Sequence, residues 1–147
     1  EVAVPVAGRG VARRLRSGAE LIDDSYNANP GSTHAAIDTL AAGGGEAWLV
    51  LGDMRELGAD EIAIHAEVGR RAKAAGIARL YTLGTLSGHA AEAFGNDASH
   101  FDSHEALSGA LKNDMREGVR VLVKGSRGSA MDRVVAALLQ GEDTDAA

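Results

Sequence analysis

The stretch "ELIDDSYNANPGSTHAAIDTLAA", residues 20–42, changes character within a few positions. Leu21 and Ile22 suit a buried strand. Asp23, Asp24, Ser25, Tyr26, Asn27 and Asn29 then bring carboxylates, a hydroxyl, a phenol and amides into one short run. Behind them Ala36, Ile37 and Leu40 share one face of a helix. Asn29 or Ser32 suits its cap, Pro30 suits its first turn, and the glycines at 43–45 end it. A strand that passes through a polar loop into a helix is the unit from which parallel sheets are assembled.

The same unit recurs along the chain. "EAWLVLGD" (46–53) reads as a strand, followed by the loop "MRELGAD" and a helix from about 61 to 75, closed by Gly76. "ARLYTLG" (78–84) is a third strand, and "TLSGHAAEAFG" (85–95) a short helix. "SHFDS" (99–103) is a short strand ending at a cap, Ser103, before the helix "HEALSGALKNDM" (104–115). "VRVLVKG" (119–125) is a strongly β-branched strand. "SAMDRVVAALLQ" (129–140) is the last helix, with Met131, Val134, Val135, Leu138 and Leu139 on one stripe. The alternation predicts an α/β fold: a Rossmann-like, open and mostly parallel sheet with helices on both faces. "WLVL" and "VLVK" suit strands covered on both sides. "GRGVARRLRSG" (8–18) lies outside the rhythm and predicts a small extra strand or hairpin, and residues 140–147 read as a polar tail.

A length of 147 residues suits one domain, and with 45% hydrophobic but only 3% aromatic residues its core must be largely aliphatic. A net charge of −6 argues against general nucleic-acid or membrane-surface affinity. The absence of cysteine excludes disulfides and thiolate metal sites, and fits a reducing compartment. No apolar run approaches the roughly 20 residues of a membrane span. The opening "EVAVPVAGRGVARRL" lacks the order of a signal peptide and begins without Met, so a piece of a longer protein is expected.

In open α/β sheets ligands bind beyond the carboxyl ends of the strands. Three polar, glycine-bearing loops are expected there: residues 23–29, then 52–56, then 124–129. The last, "KGSRGS", joins a strand to a helix start. Free N–H groups and partial positive charge gather at helix amino termini, and Lys124 and Arg127 add full charges. It reads as an anion site or, equally, as a plain helix start with two solvated cations. Asp53 is placed to accept a ribose hydroxyl, or else simply ends its strand while Asp60 caps the next helix. There is no Walker loop, no GxGxxG after the first strand and no GxSxG. The five histidines, His34, His65, His89, His100 and His104, have no metal-ligand spacing. Each reads as a surface or core residue, although His100 and His104 flank one strand end and are placed to pair.

"DDSYNANP" (23–30), "LGDMRELG" (51–58) and "VKGSRGSAM" (123–131), in this order and spacing, resemble the carboxyl-terminal domain of the Mur ligases. The resemblance runs from "GRG" at residue 8 to about Leu139. It implies the last of three domains. A first domain would bind a UDP-sugar and a central one would carry the Walker loop and the Mg2+ ligands. The implied activity is ATP-dependent amide formation in peptidoglycan precursor synthesis, in the bacterial cytoplasm. Within the family the motifs are most similar to the branch that adds D-alanyl-D-alanine to UDP-N-acetylmuramoyl-tripeptide. The fragment would be inactive alone, and a monomer is expected. By the same resemblance Asp24, Tyr26, Asn27 and Asn29 are nucleotide contacts, Asp53 lies near the ribose, and Arg9 lies near the ATP phosphates. Lys124, Ser126 and Arg127 become candidates for the dipeptide carboxylate, with the ATP phosphates as a rival ligand of that loop. Another amino-acid-adding ligase of the family, or a non-catalytic α/β binding module, is the alternative reading.

Overall fold

The computed structural model describes residues 11–142. Arg9, and the tail beyond residue 142, lie outside the described residues. Six strands form one sheet: β1 (Val11–Arg14), β2 (Glu20–Asp24), β3 (Glu46–Gly52), β4 (Arg79–Leu83), β5 (Ala98–Phe101) and β6 (Val119–Lys124). The helices are α1 (Pro30–Ala42), α2 (Glu61–Ala75), α3 (Ser87–Phe94), α4 (His104–Asp114) and α5 (Asp132–Leu139). The strand order is β1-β2-β6-β3-β4-β5. Every pairing is parallel except β1 with β2, which close an antiparallel hairpin through a turn where Leu15 N–H donates to Ala19 O at 2.8 Å. The segment outside the strand–helix rhythm is therefore an edge hairpin.

Crossovers between parallel strands are right-handed. From β2 through β5 the chain steps in one direction across the sheet, so α1, α2 and α3 fall on one face. α4 then carries it back to the middle, and reversing direction with the same hand puts α4 and α5 on the other face. Side chains alternate accordingly. Leu49, Leu51 and Leu122 pack against Ile37, Leu40, Val68 and Phe94 on the first face. Trp48, Val50, Val121 and Val123 pack against Leu107, Leu111, Val134 and Leu138 on the second. Strands covered on both sides read as unbroken apolar runs, as "WLVL" and "VLV" do.

α1 starts at Pro30, with Asn29, one of the two expected caps, at its cap position and Ser32 capping in return: Ser32 N–H donates to Asn29 Oδ1 at 2.8 Å, and Asn29 N–H donates to Ser32 Oγ at 3.1 Å. One boundary differs from the sequence reading by several residues. The last helix begins at Asp132 and not at Ser129. Ser129 bends back, its N–H and hydroxyl both donating to Ser126 O at 3.0 and 2.7 Å, and residues 127–129 close a 3-10 turn. Ala130 then takes a left-handed conformation with φ 54°.

Gly69 marks the closest approach of α2 to α3, since a Cβ there would lie 2.1 Å from the carbonyl oxygen of Ala90. Glycine to alanine in a helix ordinarily stabilises by about 1 kcal/mol. Here overpacking against a backbone oxygen dominates, so Gly69→Ala should destabilise the fold by about 1–2 kcal/mol in urea unfolding. Burial, then its hydrogen bond to Asp114 at 2.7 Å, push the Tyr81 phenol up to about 12, against an opposing bond from Arg79. A raised folded value favours the neutral phenol, so its stabilisation is complete below pH 10 and is lost as pH rises from 10 to about 12. Urea titrations across that window should show a steeper loss in the wild type than in Tyr81→Phe.

Candidate functional site

Because β6 lies between β2 and β3, the loops at the carboxyl ends of these three strands sit side by side on one rim. The β6 loop touches both neighbours. On one side Lys124 Nζ donates to Asp24 Oδ2 at 2.9 Å and to Asn27 O at 3.0 Å. The Arg127 guanidinium lies 5.1 Å above the Tyr26 ring, and its Nη2 is 3.5 Å from the phenol oxygen. On the other side Ser126 Oγ donates to Asp53 O at 2.7 Å, and Arg55 Nη2 donates to Gly128 O at 3.3 Å. From α4, His104 Nε2 lies 2.9 Å from Ser129 O. A carbonyl only accepts, so Nε2 carries the proton. Gly52 and Gly125 leave room for Met131 beneath the rim, since a Cβ on either would fall 2.5 Å from its Cγ.

The predicted site residues thus come together, but they divide into two kinds. Tyr26, Asn27, Asn29 and Arg127 are exposed. Asn29 already caps α1 through its side chain. Asp24 and Lys124 are paired to each other, and Lys124 is only 3% exposed. Ser126 is buried with its hydroxyl engaged. The anion reading of this loop rested partly on a helix amino terminus, and that part does not apply, because α5 starts several residues later and the 3-10 turn uses the N–H groups of Ser129 and Ala130.

Asp53 lies on the same rim and holds α3. Its Oδ1 accepts Ser87 N–H at 2.7 Å and its Oδ2 accepts Leu86 N–H at 3.2 Å. Each oxygen retains a further lone pair for a ligand hydroxyl. Gly84, with φ +114°, permits this, since a Cβ there would sit 2.5 Å from Asp53 Oδ1. Asp60 stands at the cap position of α2 without a side-chain bond.

Three contributors were not assigned from sequence. Arg55 was placed after its strand but given no role. In the fold it flanks Gly128 from one side while Arg127 follows from the chain itself, so two exposed guanidiniums share one loop. Neither forms an ion pair among the described residues. Glu56 beside it has φ 61°, a conformation that costs a non-glycine residue on the order of 1 kcal/mol. His65 is fully buried. Its Nε2 accepts Met54 N–H at 3.0 Å, so its Nδ1 carries the proton and donates to Glu61 O at 2.8 Å. This neutral ring pins the backbone that leads to Arg55. His100 bonds Thr82 Oγ1 at 2.7 Å, so it and His104 go to different partners.

Next to Tyr26 a groove of about 690 Å³ opens between α1 and the sheet, with Ile22 and Leu122 on its floor and Ala35 and Ala36 on its wall. Among the described residues no cluster of three or more His, Asp or Glu side chains suits a metal ion. The rim fits an anion at Arg55 and Arg127 and a polar, ring-bearing ligand beside Tyr26. If Asp53 chiefly anchors α3, Asp53→Ala should lower stability by about 1 kcal/mol, read as a shift in the urea midpoint. Gly84→Ala should cost more, because it adds strain at positive φ to the displacement of that carboxylate.

The sequence profile of the Mur ligase glutamate ligase domain matches residues 8–127. The UDP-N-acetylmuramoyl-tripeptide–D-alanyl-D-alanine ligase of Escherichia coli K12 is 46% identical over 135 residues, which are 90% of this chain and 30% of that protein. Its counterpart in Bacillus subtilis strain 168 is 37% identical, over 84% of this chain and 29% of that one. The chain therefore spans about a third of the length of these relatives. Among solved structures, the MurF ligase of Thermotoga maritima in complex with ADP superposes with a TM-score of 0.82 at 26% identity, over 92% of this chain and 31% of that one. MurF of Acinetobacter baumannii gives 0.83 at 27%, over 94% and 32%. The matched profile, this degree of identity and the shared fold make the chain a member of the Mur ligase family, as its carboxyl-terminal domain.

Proposed function

We propose that this chain is the carboxyl-terminal domain of an ATP-dependent ligase that joins D-alanyl-D-alanine to UDP-N-acetylmuramoyl-tripeptide. The observation that carries the reading is the convergence of three motif loops on one rim, where an exposed aromatic ring and two exposed guanidiniums face solvent together. The names of the relatives supply the substrates. In such a ligase ATP phosphorylates the tripeptide carboxylate, and the dipeptide amine attacks the acyl phosphate to leave an amide and phosphate. This domain's part is positioning, which lowers the barrier of a two-substrate reaction without supplying a reacting group. Tyr26, Asn27, Asn29 and the free lone pairs of Asp53 meet the nucleotide. Arg127, with Arg55 beside it, takes the dipeptide carboxylate through charge-assisted bonds. Arg9 is assigned to the nucleotide phosphates by resemblance alone. Magnesium is assigned, by resemblance, mainly to the central domain outside this chain. The reading places the reaction in the bacterial cytoplasm, by a monomer, and among the described residues no helix is long and apolar enough to cross a membrane.

The test is a chimera in which this segment replaces the corresponding third of the E. coli ligase. It should form the pentapeptide product from ATP, tripeptide and dipeptide, and ATP hydrolysis without that product would overturn the reading. In the active chimera Arg127→Ala should raise KM for the dipeptide by roughly ten- to a hundredfold while KM for ATP changes less than about threefold. The reverse pattern moves the loop to the nucleotide phosphates.

A further inference from the structure

The buried residues of α2 are His65, Val68, Gly69 and Ala72. Three of them are small or aliphatic, and His65 breaks the pattern. Its Nδ1–H donates to Glu61 O at 2.8 Å, which fixes the ring and aims the Nε2 lone pair at the Met54 N–H, 3.0 Å away. That N–H belongs to the peptide between Asp53 and Met54. The carbonyl of the same peptide accepts Ser126 Oγ–H at 2.7 Å and Ser126 N–H at 3.3 Å. From this geometry we infer that His65 is a positioning residue for the dipeptide: acting through one peptide plane and Ser126, it fixes the turn that presents Arg127. The inference rests on the ligase reading given above.

Three observations support it. The N–H and C=O of a trans peptide point in opposite directions, so His65 on one side and Ser126 on the other hold this plane against rotation. The hydrogen-bond chain is buried, with His65 and Met54 0% exposed and Ser126 5%, and in such surroundings successive bonds polarise and strengthen one another. The chain also continues into the turn itself, because Ser126 O accepts the N–H and the hydroxyl of Ser129 at 3.0 and 2.7 Å, and Arg127 stands between those two serines. Finally, the β3–β6 ladder ends at Leu51 and Lys124, so beyond that rung contacts between the loops set their relation. The Ser126 bonds to Asp53 O are buried, whereas Arg55 reaches Gly128 O at 3.3 Å from an exposed side chain. The Asp53 carboxylate is held separately, by N–H groups at the start of α3. Loss of the imidazole therefore frees the peptide plane and the Arg127 turn more than it frees the nucleotide side.

The experiment uses the active chimera with His65→Leu and His65→Gln, each checked for folding by its thermal transition. His65→Leu leaves the Met54 N–H without an acceptor and should raise KM for the dipeptide by about tenfold while KM for ATP changes less than about threefold. His65→Gln sets an amide oxygen where Nε2 stands and should restore most of the lost dipeptide affinity. Gly69→Ala, on the same helix but facing Ala90, is the stability control, and it should lower the transition while leaving both constants unchanged. A merely structural His65 predicts otherwise: both constants would rise together or neither would move, or His65→Gln would be no better than His65→Leu. Any of these outcomes overturns the inference. Should His65→Leu not fold, ring nitrogen shifts of 15N-labelled histidine in the unmutated chimera decide. They should show His65 as the Nδ1–H tautomer, and the Nε2–H tautomer overturns the relay. Failure of the ligase reading shows separately, as an unmutated chimera that makes no product. In that event amide hydrogen exchange in this chain serves. Relative to His65→Gln, His65→Leu should speed exchange at Met54 and across 126–130, and an increase confined to Met54 overturns the inference.

Discussion

The arrangement depends on β6 being inserted between β2 and β3. A strand that enters the middle of a parallel sheet last in sequence must be apolar on both faces, since helices already cover one side and its own crossover covers the other. Val121, Leu122 and Val123 meet that demand. The polar character of the segment is thereby pushed to its carboxyl end, where Lys124, Ser126 and Arg127 emerge between two other polar loops. The site is a consequence of the strand order, because an order that placed β6 away from β2 and β3 would separate the three loops.

At the rim, charge is divided by burial. Lys124 and Asp24 neutralise each other inside, where an unpaired ion would be expensive. Arg55 and Arg127 stay outside, without a carboxylate partner among the described residues. Arg127 lies on Tyr26, which holds the guanidinium by its face while leaving its N–H edge available. The same division appears among the carboxylates: Asp53 is drawn to backbone N–H groups at the start of α3, while Glu56 remains exposed.

The rim also carries local strain. Glu56 and Ala130 both hold left-handed backbone angles in the loops that follow β3 and β6. Non-glycine residues adopt that region only when surrounding contacts determine it. The contacts here are His65 on the Met54 amide, and the closed turn at Ser126 to Ser129. The loops are thus shaped by buried groups packed beneath the rim.

Much of this was legible in the chain alone. The strand–helix rhythm gave the parallel sheet, because side-chain periodicity is local and survives without knowledge of the partner strand. The three motifs gave the family and the rim, since loops at strand ends follow from topology. What the sequence could not assign were properties of pairs. It listed Lys124 and Arg127 as equivalent cations, because charge is written in the residue type while burial is not. It gave Arg55 and His65 no role, because Gly128 and Met54 become their neighbours only when β6 packs beside β3 and α2 folds over it. It began the last helix at Ser129, because the hydroxyl that turns the chain back acts through geometry and not through periodicity. Composition and spacing determined which elements form and in what order. The packed sheet alone decided which charges stay exposed on the rim, because that depends on which groups already have partners.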